Sequence, residues 1–495
     1  MTIQAESGFC LDGAGLAALE RRLREDMTLL CRPPGNWVAG RERDGKAVTD
    51  VVIVGAGMCG LVAWLALQTA GIRNVRIIDA ADAGREGPWL TFARMEELRS
   101  PKQLTGPAFG YGALTFQAWF RARFGLEAWE EMYRIPRPVW MDYLVWYRKV
   151  LGVPVENGVR LETVKGDDEL LRLELDGPGG RETVHARRLV MATGRDGMGY
   201  PTIPGFMDGV PEGRWAHSSD EIDFAALAGR RVAVIGVGAS AVDNAAEALE
   251  AGAAEVRLLI RRREMPTINK LMGIGSYGFT AGFAELPDEW RWRIMNYSFV
   301  SQTPAPHGST LRVSRHANAF FHFGKAVRNV RGNGAGLTVA FADSTALDTD
   351  FLILGTGFTV DPAARTELGE AADEVLAWRD AYRPAMNEEN AELGRFPYLA
   401  ADFSFQEKEP GKAPWLGRIH CYNYGATASL GKVSGDIPGV SDGADWLARA
   451  IAARLYAEDI DTHWHELLAY AKPELDGSEW RASPLPARDG QDEVA

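Results

Sequence analysis

The sequence predicts an α/β protein of two Rossmann-like dinucleotide-binding domains, the first interrupted by the second. Two observations carry this. "VVIVGAGMCGLVAWLAL" (51–67) and "RRVAVIGVGASAVDNAAEAL" (230–249) are each an apolar run, a glycine-rich turn and a helix-forming stretch. From about residue 50 onward, short apolar runs alternate with longer stretches of helical periodicity, the pattern of parallel sheets covered by helices.

Each element follows in order. Residues 13–31 have apolar residues at helical spacing and form an amphipathic helix that "RPPGNW" ends, within a helical extension spanning 1–45. The first part of the first domain takes 46–205, with strands at "DVVIVGAG", "NVRIIDA" and "RRLVMATG" (187–194). The second domain takes 206–340, with strands at "RRVAVIGVG" and "AEVRLLIRRR" (254–263) and an aromatic-rich insertion over 273–324. "TDFLILGTGF" (349–358) reads as the return to the first domain, which fills 341–482 and ends in helices over 445–470. The polar tail 483–495 is flexible.

Composition narrows the class. The chain has 495 residues, 46% hydrophobic and 24% charged, with a formal net charge of −13. That charge disfavours a nucleic-acid partner. Apolar runs reach only about ten residues, too short to span a bilayer, and the N-terminus lacks a basic segment followed by an apolar core. Cys10, Cys31, Cys59 and Cys421 stand far apart without a C-x-x-C pair, against a disulfide framework, a dithiol redox centre or a zinc site. His463 and His465 are two apart on a helix and do not share a face, so no metal is expected. The expectation is a cytoplasmic protein acting on a small molecule, with a homo-oligomer left open.

The first cradle, Gly55, Gly57 and Gly60, gives G-x-G-x-x-G between strand and helix. The first glycine permits the tight turn, the second admits a pyrophosphate to the backbone, and the third lets helix and strand approach. Asp79 ends the next strand about two dozen residues on, where a carboxylate accepts ribose hydroxyls and repels a 2′-phosphate. This cradle suits FAD or NAD. The second cradle, Gly236, Gly238 and Ala241 with Ser240 beside them, opens the same way, but its second strand ends in Arg261, Arg262 and Arg263. A guanidinium where the first unit has an acid is the change a 2′-phosphate requires, so this cradle suits NADPH, with Arg261 and Arg262 both candidates.

Two further segments, "MATGRDGMGYPTIPGF" (191–206) and "LGTGFTVD" (354–361), resemble the chain crossings between the two domains of two-dinucleotide flavoproteins. The whole pattern, over about 50–440, resembles the class B flavoprotein monooxygenases: flavin-containing, N-hydroxylating and Baeyer–Villiger enzymes. The resemblance implies that Thr193, Gly194, Gly355, Thr356 and Gly357 serve the cofactors. It implies that Trp89, after Gly87-Pro88, lies along the flavin, as do Gly435 and Asp436 in "ATASLGKVSGDIPG". "RSPK" is the nearest match to the family's flavin-edge segment, with Arg99 where the family has asparagine; the resemblance makes Arg99, Ser100 and Lys102 catalytic candidates, while Arg99 equally suits binding an acidic substrate or pairing with Glu96 or Glu97. Gly213 and His217 keep the family's linker spacing, while Pro211 and Glu221 stand where it has aromatics. His217 is carried as a functional candidate beside the plainer reading of an interdomain hydrogen bond.

The implied chemistry is hydride transfer from NADPH to FAD, formation of a flavin C4a-(hydro)peroxide from O2, and oxygenation of a small molecule at a nucleophilic heteroatom. Baeyer–Villiger oxidation and a flavin oxidoreductase or cofactor-binding protein without oxygenation are the alternatives. Aromatic residues of 273–324 form either a substrate pocket or a lid over the domain junction, with Arg312, Arg315, His316 and His322 as its polar groups.

Overall fold

The computed structural model describes residues 15–167, 169–334 and 336–485. Cys10, the first two residues of the 13–31 helix and most of the 483–495 tail lie outside the described residues.

The strand Thr49–Val54 is buried on both faces, which its continuous apolar run allows. It lies parallel to Val75–Asp79 on one side and to the second half of the long strand Gly180–Met191 on the other. Val155–Asn157 and Ile419–Cys421 complete this parallel layer at its two edges. The first half of Gly180–Met191 leaves the layer and pairs antiparallel with Leu171–Gly177, which pairs with Arg160–Gly166. Helix Met58–Thr69 rises from the first cradle and packs between the sheet and the C-terminal helix Val440–Glu458.

The second domain is a five-stranded parallel sheet in the order Trp215–His217, Phe351–Leu354, Arg231–Ile235, Glu255–Ile260, Ala319–Phe323. Alternate residues face opposite layers. Val232, Val234 and Ile353 pack under helix Ala239–Glu250, while Ala233, Leu352 and Leu354 pack on an antiparallel sheet of Val327–Gly332, Leu337–Phe341 and Ala346–Thr349.

Two expectations change here. The run "TDFLILGTGF" is not yet the return to the first domain. Phe351–Leu354 is a central strand of the second sheet, so that domain extends to Leu354 rather than ending at 340. The chain crosses back only at Gly355–Gly357, and Phe358–Val360 pairs with Gly199–Pro201 as the ribbon between the domains. An apolar strand ending in glycine looks the same in either sheet, so the sequence could not decide between them. The 273–324 segment is also no uniform pocket wall. Phe283, Trp292 and Met295 are buried in the first domain's core, and "AFFHF" is the edge strand of the second sheet. It packs into both domains and joins them.

At the N-terminus, helix Gly15–Leu29 buries Leu19 and Leu23 in the first domain, and Glu20 accepts a hydrogen bond from the Trp146 indole at 3.1 Å. At the other end, helices Val440–Glu458 and Ile460–Ala469 meet at Asp459. Both carboxylate oxygens of Asp459 receive the fully buried Arg187 guanidinium, at 2.8 and 3.0 Å. No helix among the described residues is long and apolar enough to cross a membrane.

Candidate active site

In the first cradle the three glycines separate by role. Gly55 has φ +99°, and a Cβ there would come within 2.5 Å of the Ala192 carbonyl oxygen. A Cβ on Gly60 would overlap the Gly55 oxygen. Both are therefore demanded by packing. Gly57 is different: its φ of −67° suits any residue, and a Cβ would meet nothing closer than the Gly87 Cα at 3.8 Å. Its open face is a cradle for a ligand. No side chain caps helix Met58–Thr69, which leaves its first N–H groups for an anion.

Asp79 stands at the end of the adjacent strand. It accepts the N–H groups of Ala56 at 2.7 Å and Ala81 at 2.8 Å, so its carboxylate is fixed beside the turn. Burial raises its pKa, and these two hydrogen bonds oppose the shift. Glu86, which the sequence reading missed, is buried next to it. It accepts from Gly84 N–H, Asn157 and Arg148 and so shapes the loop that leads to Gly87 and Trp89. Trp89 meets Trp140 edge-on at 6.1 Å between ring centres.

The two chain crossings are tied together. His217 is buried. Its Nε2 donates to the Gly357 carbonyl at 3.0 Å, and its Nδ1 is engaged by Ser219. Burial lowers its pKa and keeps the ring neutral. Both nitrogens are occupied, which favours the plainer of the two readings of His217, a clasp between the crossings. Thr356 Oγ1 donates to Thr202 O at 2.5 Å, and the Thr202 and Thr359 hydroxyls meet at 2.8 Å. On the first-domain side the fully buried Asn423, a second residue the sequence reading missed, donates at 3.1 Å to Met191 O and to Thr193 Oγ1, which fixes the turn carrying Gly194. Ser434 donates back to Asn423 O at 2.7 Å, and the Cys59 thiol reaches Ser434 O at 3.5 Å. Cys59 is a packing residue whose thiol burial pushes up to about 12. Cys31, Cys59 and Cys421 are all free.

Lys102 is corrected. Its ammonium donates to the Trp129 and Glu130 carbonyls, at the C-terminal end of helix Phe116–Glu131, and lies 4.7 Å from the Trp129 ring centre. It caps a helix and is not free for the flavin edge. Ser100 is half-buried on the strand Glu97–Pro101 beside it. Arg99 donates to the carbonyl of Pro304; burial lowers its pKa, and the charges of Asp243 and Asp436 oppose that shift. Arg195, directly after the Gly194 turn, lies 4.2 Å over the Tyr424 ring, which also feels Asp436. Asp436 is itself paired with Lys432 at 3.2 Å. Gly435 beside it is open, with nothing within 4 Å of a Cβ.

In the second cradle Gly236 has φ +123°, and a Cβ there would approach the Gly355 oxygen to 2.5 Å. A Cβ on Gly355 would overlap the Ala241 methyl, which explains why alanine is tolerated at the third position only opposite a glycine. Gly238 opens an uncapped helix, as Gly57 does, and Ser240 is exposed in its first turn. Arg261 is exposed, while the half-buried Arg262 donates from Nε to Gln302 Oε1 at 2.9 Å and from Nη2 to Val300 O at 2.6 Å.

Of the polar groups in 273–324, Arg312 joins the domains. It pairs with Glu247 at 3.0 Å and Glu250 at 2.6 Å and donates to Arg94 O at 3.1 Å. Arg315 shares Glu250, and His322 on the edge strand accepts from Arg257 of the neighbouring strand at 3.1 Å. His316 follows helix His307–Ser314, its ring Nε2 buried without a partner.

Asp243, one turn into helix Ala239–Glu250, is buried with Oδ1 unpartnered, and burial raises its pKa to about 6 against a Ser309 hydroxyl and Arg312. A carboxyl that holds its proton more tightly when folded loses stability as pH rises from about 4 to about 6. Asp243→Asn removes that loss. In urea unfolding the variant will match the parent near pH 4 and exceed it at about pH 8, by about 1–3 kcal/mol. Equal curves at both pH values would refute the assignment.

A sheet that carries one open phosphate cradle with an acid at its second strand, joined through two crossings to a second cradle with arginines there, defines a two-dinucleotide flavoprotein. The comparisons agree. A family model described as pyridine nucleotide-disulphide oxidoreductase matches residues 52–272. The FAD-dependent urate hydroxylase of Xanthomonas campestris pv. campestris is 35% identical over 471 residues, covering 93% of this chain and 98% of the relative. Among solved structures, the ornithine hydroxylase of Pseudomonas aeruginosa superposes with a TM-score of 0.63 at 17% identity, over 82% of this chain and 100% of that one. The L-lysine 6-monooxygenase of Pseudomonas syringae gives 0.61 at 15% identity, over 83% and 99%. At these identities the two structures speak for the fold alone. The chain belongs to the class B flavoprotein monooxygenases, the FAD- and NADPH-using family that its motifs resemble, and it is an enzyme of that family, an oxidoreductase.

Proposed function

We propose that the first cradle holds FAD, that the second holds NADPH, and that the enzyme oxygenates an electron-rich, anionic nitrogen heterocycle of the urate type at a nucleophilic position. The observation that carries the substrate class is the 35% identity to a urate hydroxylase, sustained over 93% of the chain. The charge of the site agrees with it: Arg195 is an exposed cation just beyond the carboxyl end of the strand Gly180–Met191, and Arg99 is a second exposed cation on the strand Glu97–Pro101.

The residues fit both cofactors. Gly57 admits the FAD pyrophosphate to the N-terminus of its helix, and Asp79, already immobilised by two backbone N–H groups, keeps lone pairs for the ribose. Thr193 and Gly194 on one side and Gly435 and Asp436 on the other flank the flavin. Gly355–Gly357 and the His217 clasp keep the two domains in register. When bound, the reduced flavin activates O2 and supplies one oxygen atom to the substrate, the other leaving as water. The side chains of this protein orient the substrate with Arg99 and Arg195 and hold the walls with Trp89 and Trp140. With NADPH as reductant, the proposed place of work is the cytoplasm.

The test is oxygen uptake by the purified holoenzyme with NADPH in air. Urate is expected to raise NADPH oxidation at least about tenfold, with urate, NADPH and O2 consumed in equal amounts. NADPH oxidation that urate leaves unchanged, but that an amine or thioether accelerates, would overturn the substrate class and return the reading to heteroatom oxygenation.

A further inference from the structure

Gln302 is the residue of the second domain that local conformation explains least. It ends helix Asp288–Ser301 with φ +58° and ψ +133°. That lies outside the left-handed basin open to side-chain-bearing residues, and such strain persists only where surrounding contacts enforce it. The backbone N–H of Gln302 is held by the Ser298 and Phe299 carbonyls, at 3.1 and 3.2 Å. Its side-chain oxygen is held, and its amide nitrogen faces the cradle. Oε1 accepts from Arg262 Nε at 2.9 Å, and the amide nitrogen lies 3.5 Å from where a Gly238 Cβ would stand. No other atom comes within 4 Å of that position.

Gly238, the Gln302 amide and Arg262 therefore stand in a row. The first is the open glycine of the cradle, where a pyrophosphate approaches. The last has Nε and one Nη2 hydrogen spent on the end of the helix, which orients its fork and leaves Nη1 free. Arg261 is exposed, and no hydrogen bond among the described residues orients its guanidinium.

Resting on the reading of the second cradle as the NADPH site, we infer that Gln302 is the positioning residue for the 2′-phosphate. It aims Arg262 at that phosphate, and this makes Arg262 rather than Arg261 the guanidinium that distinguishes NADPH from NADH. The strained backbone is what brings a helix-end side chain back across the mouth of the cradle.

The experiment is calorimetric titration of the FAD-loaded enzyme with 2′,5′-ADP and with 5′-AMP, which isolates the 2′-phosphate without turnover. The parent is expected to bind 2′,5′-ADP at least about 100-fold more tightly. Gln302→Met keeps the volume but loses the amide. Gln302→Gly loses the side chain but suits the positive φ, so it folds and gains thermal stability. Both are expected to reduce the affinity ratio about tenfold while 5′-AMP binding is unchanged. Arg262→Ala brings the ratio close to one, and Arg261→Ala keeps most of it. If the parent prefers 2′,5′-ADP but both Gln302 variants retain the parental ratio, Gln302 has no such role and the cradle reading stands. If the parent binds the two nucleotides equally, the cradle reading itself falls, and this inference with it.

Discussion

Gly57→Val will yield a folded, colourless protein. The backbone at Gly57 has an ordinary φ, and a Cβ there has room among the protein atoms, so substitution costs the fold little. The added side chain projects instead into the space read as the pyrophosphate site and separates the phosphates from the helix N–H groups. The expected loss in FAD affinity is about 1,000-fold, equivalent to about 4 kcal/mol. It is measured as the ratio of flavin to protein absorbance in the purified variant, with circular dichroism to verify the fold. Gly60→Val is the contrast. Its Cβ would overlap the Gly55 carbonyl, so the strand–helix packing fails before any cofactor is bound, and insoluble protein is expected. A yellow Gly57→Val enzyme would show that the pyrophosphate does not pass this glycine.

The second large effect concerns the joint between the sheet and the C-terminal helices. Asp459→Ala is expected to destabilise the fold by about 3–5 kcal/mol, because it strands a fully buried cation. Arg187 is 0% exposed and spends two hydrogen bonds on Asp459, and Arg41 adds a third at 2.7 Å. Glu458 at 3.1 Å remains as a partner but is attached to the same helix that the missing carboxylate anchored. Urea unfolding at neutral pH measures the loss. The pH dependence has a defined sign. These hydrogen bonds hold the Asp459 carboxyl below its ordinary range, so its contribution is complete above that range and disappears as pH falls through the lowered value. The acid limb of the parent's stability curve should therefore flatten in the variant. Asp50, pushed up to about 6 by burial against the same arginine, works in the opposite direction and stays in both proteins. As a control, Asp445→Ala breaks the exposed pair with Arg449 at 2.9 Å and should cost no more than about 0.5 kcal/mol. Comparable losses for the two substitutions would mean that the buried network carries no special weight.

These two cases differ in how far the sequence could see them. The cradles were legible because each is local. Spacing within one turn, an apolar strand before it and a helix behind it lie within about 25 contiguous residues, and backbone sterics give each glycine one role. Asp79 and the arginines of the second strand were legible for the same reason, as ends of neighbouring strands. The pairing of Arg187 with Asp459 was not, because 272 residues separate them and neither has a local pattern. Lys102 shows the converse error. It stands where the family resemblance leads one to look for a catalytic cation, yet the chain folds its ammonium onto the end of helix Phe116–Glu131.

The sequence by itself determined the α/β class, the two cradles, the sign of the charge beside each, and the family. These are written in contacts between residues close along the chain. Only the tertiary structure decided that Phe351–Leu354 completes the second sheet, that His217 clasps the two crossings through Gly357, and that Glu86 and Asn423 brace the first cradle and its crossing turn. It also placed Gln302 between Gly238 and Arg262. Each of these is a polar or strand-edge group whose partner comes from a distant segment. A buried hydrogen-bonding group must find such a partner, but nothing in its own neighbourhood of sequence says which one.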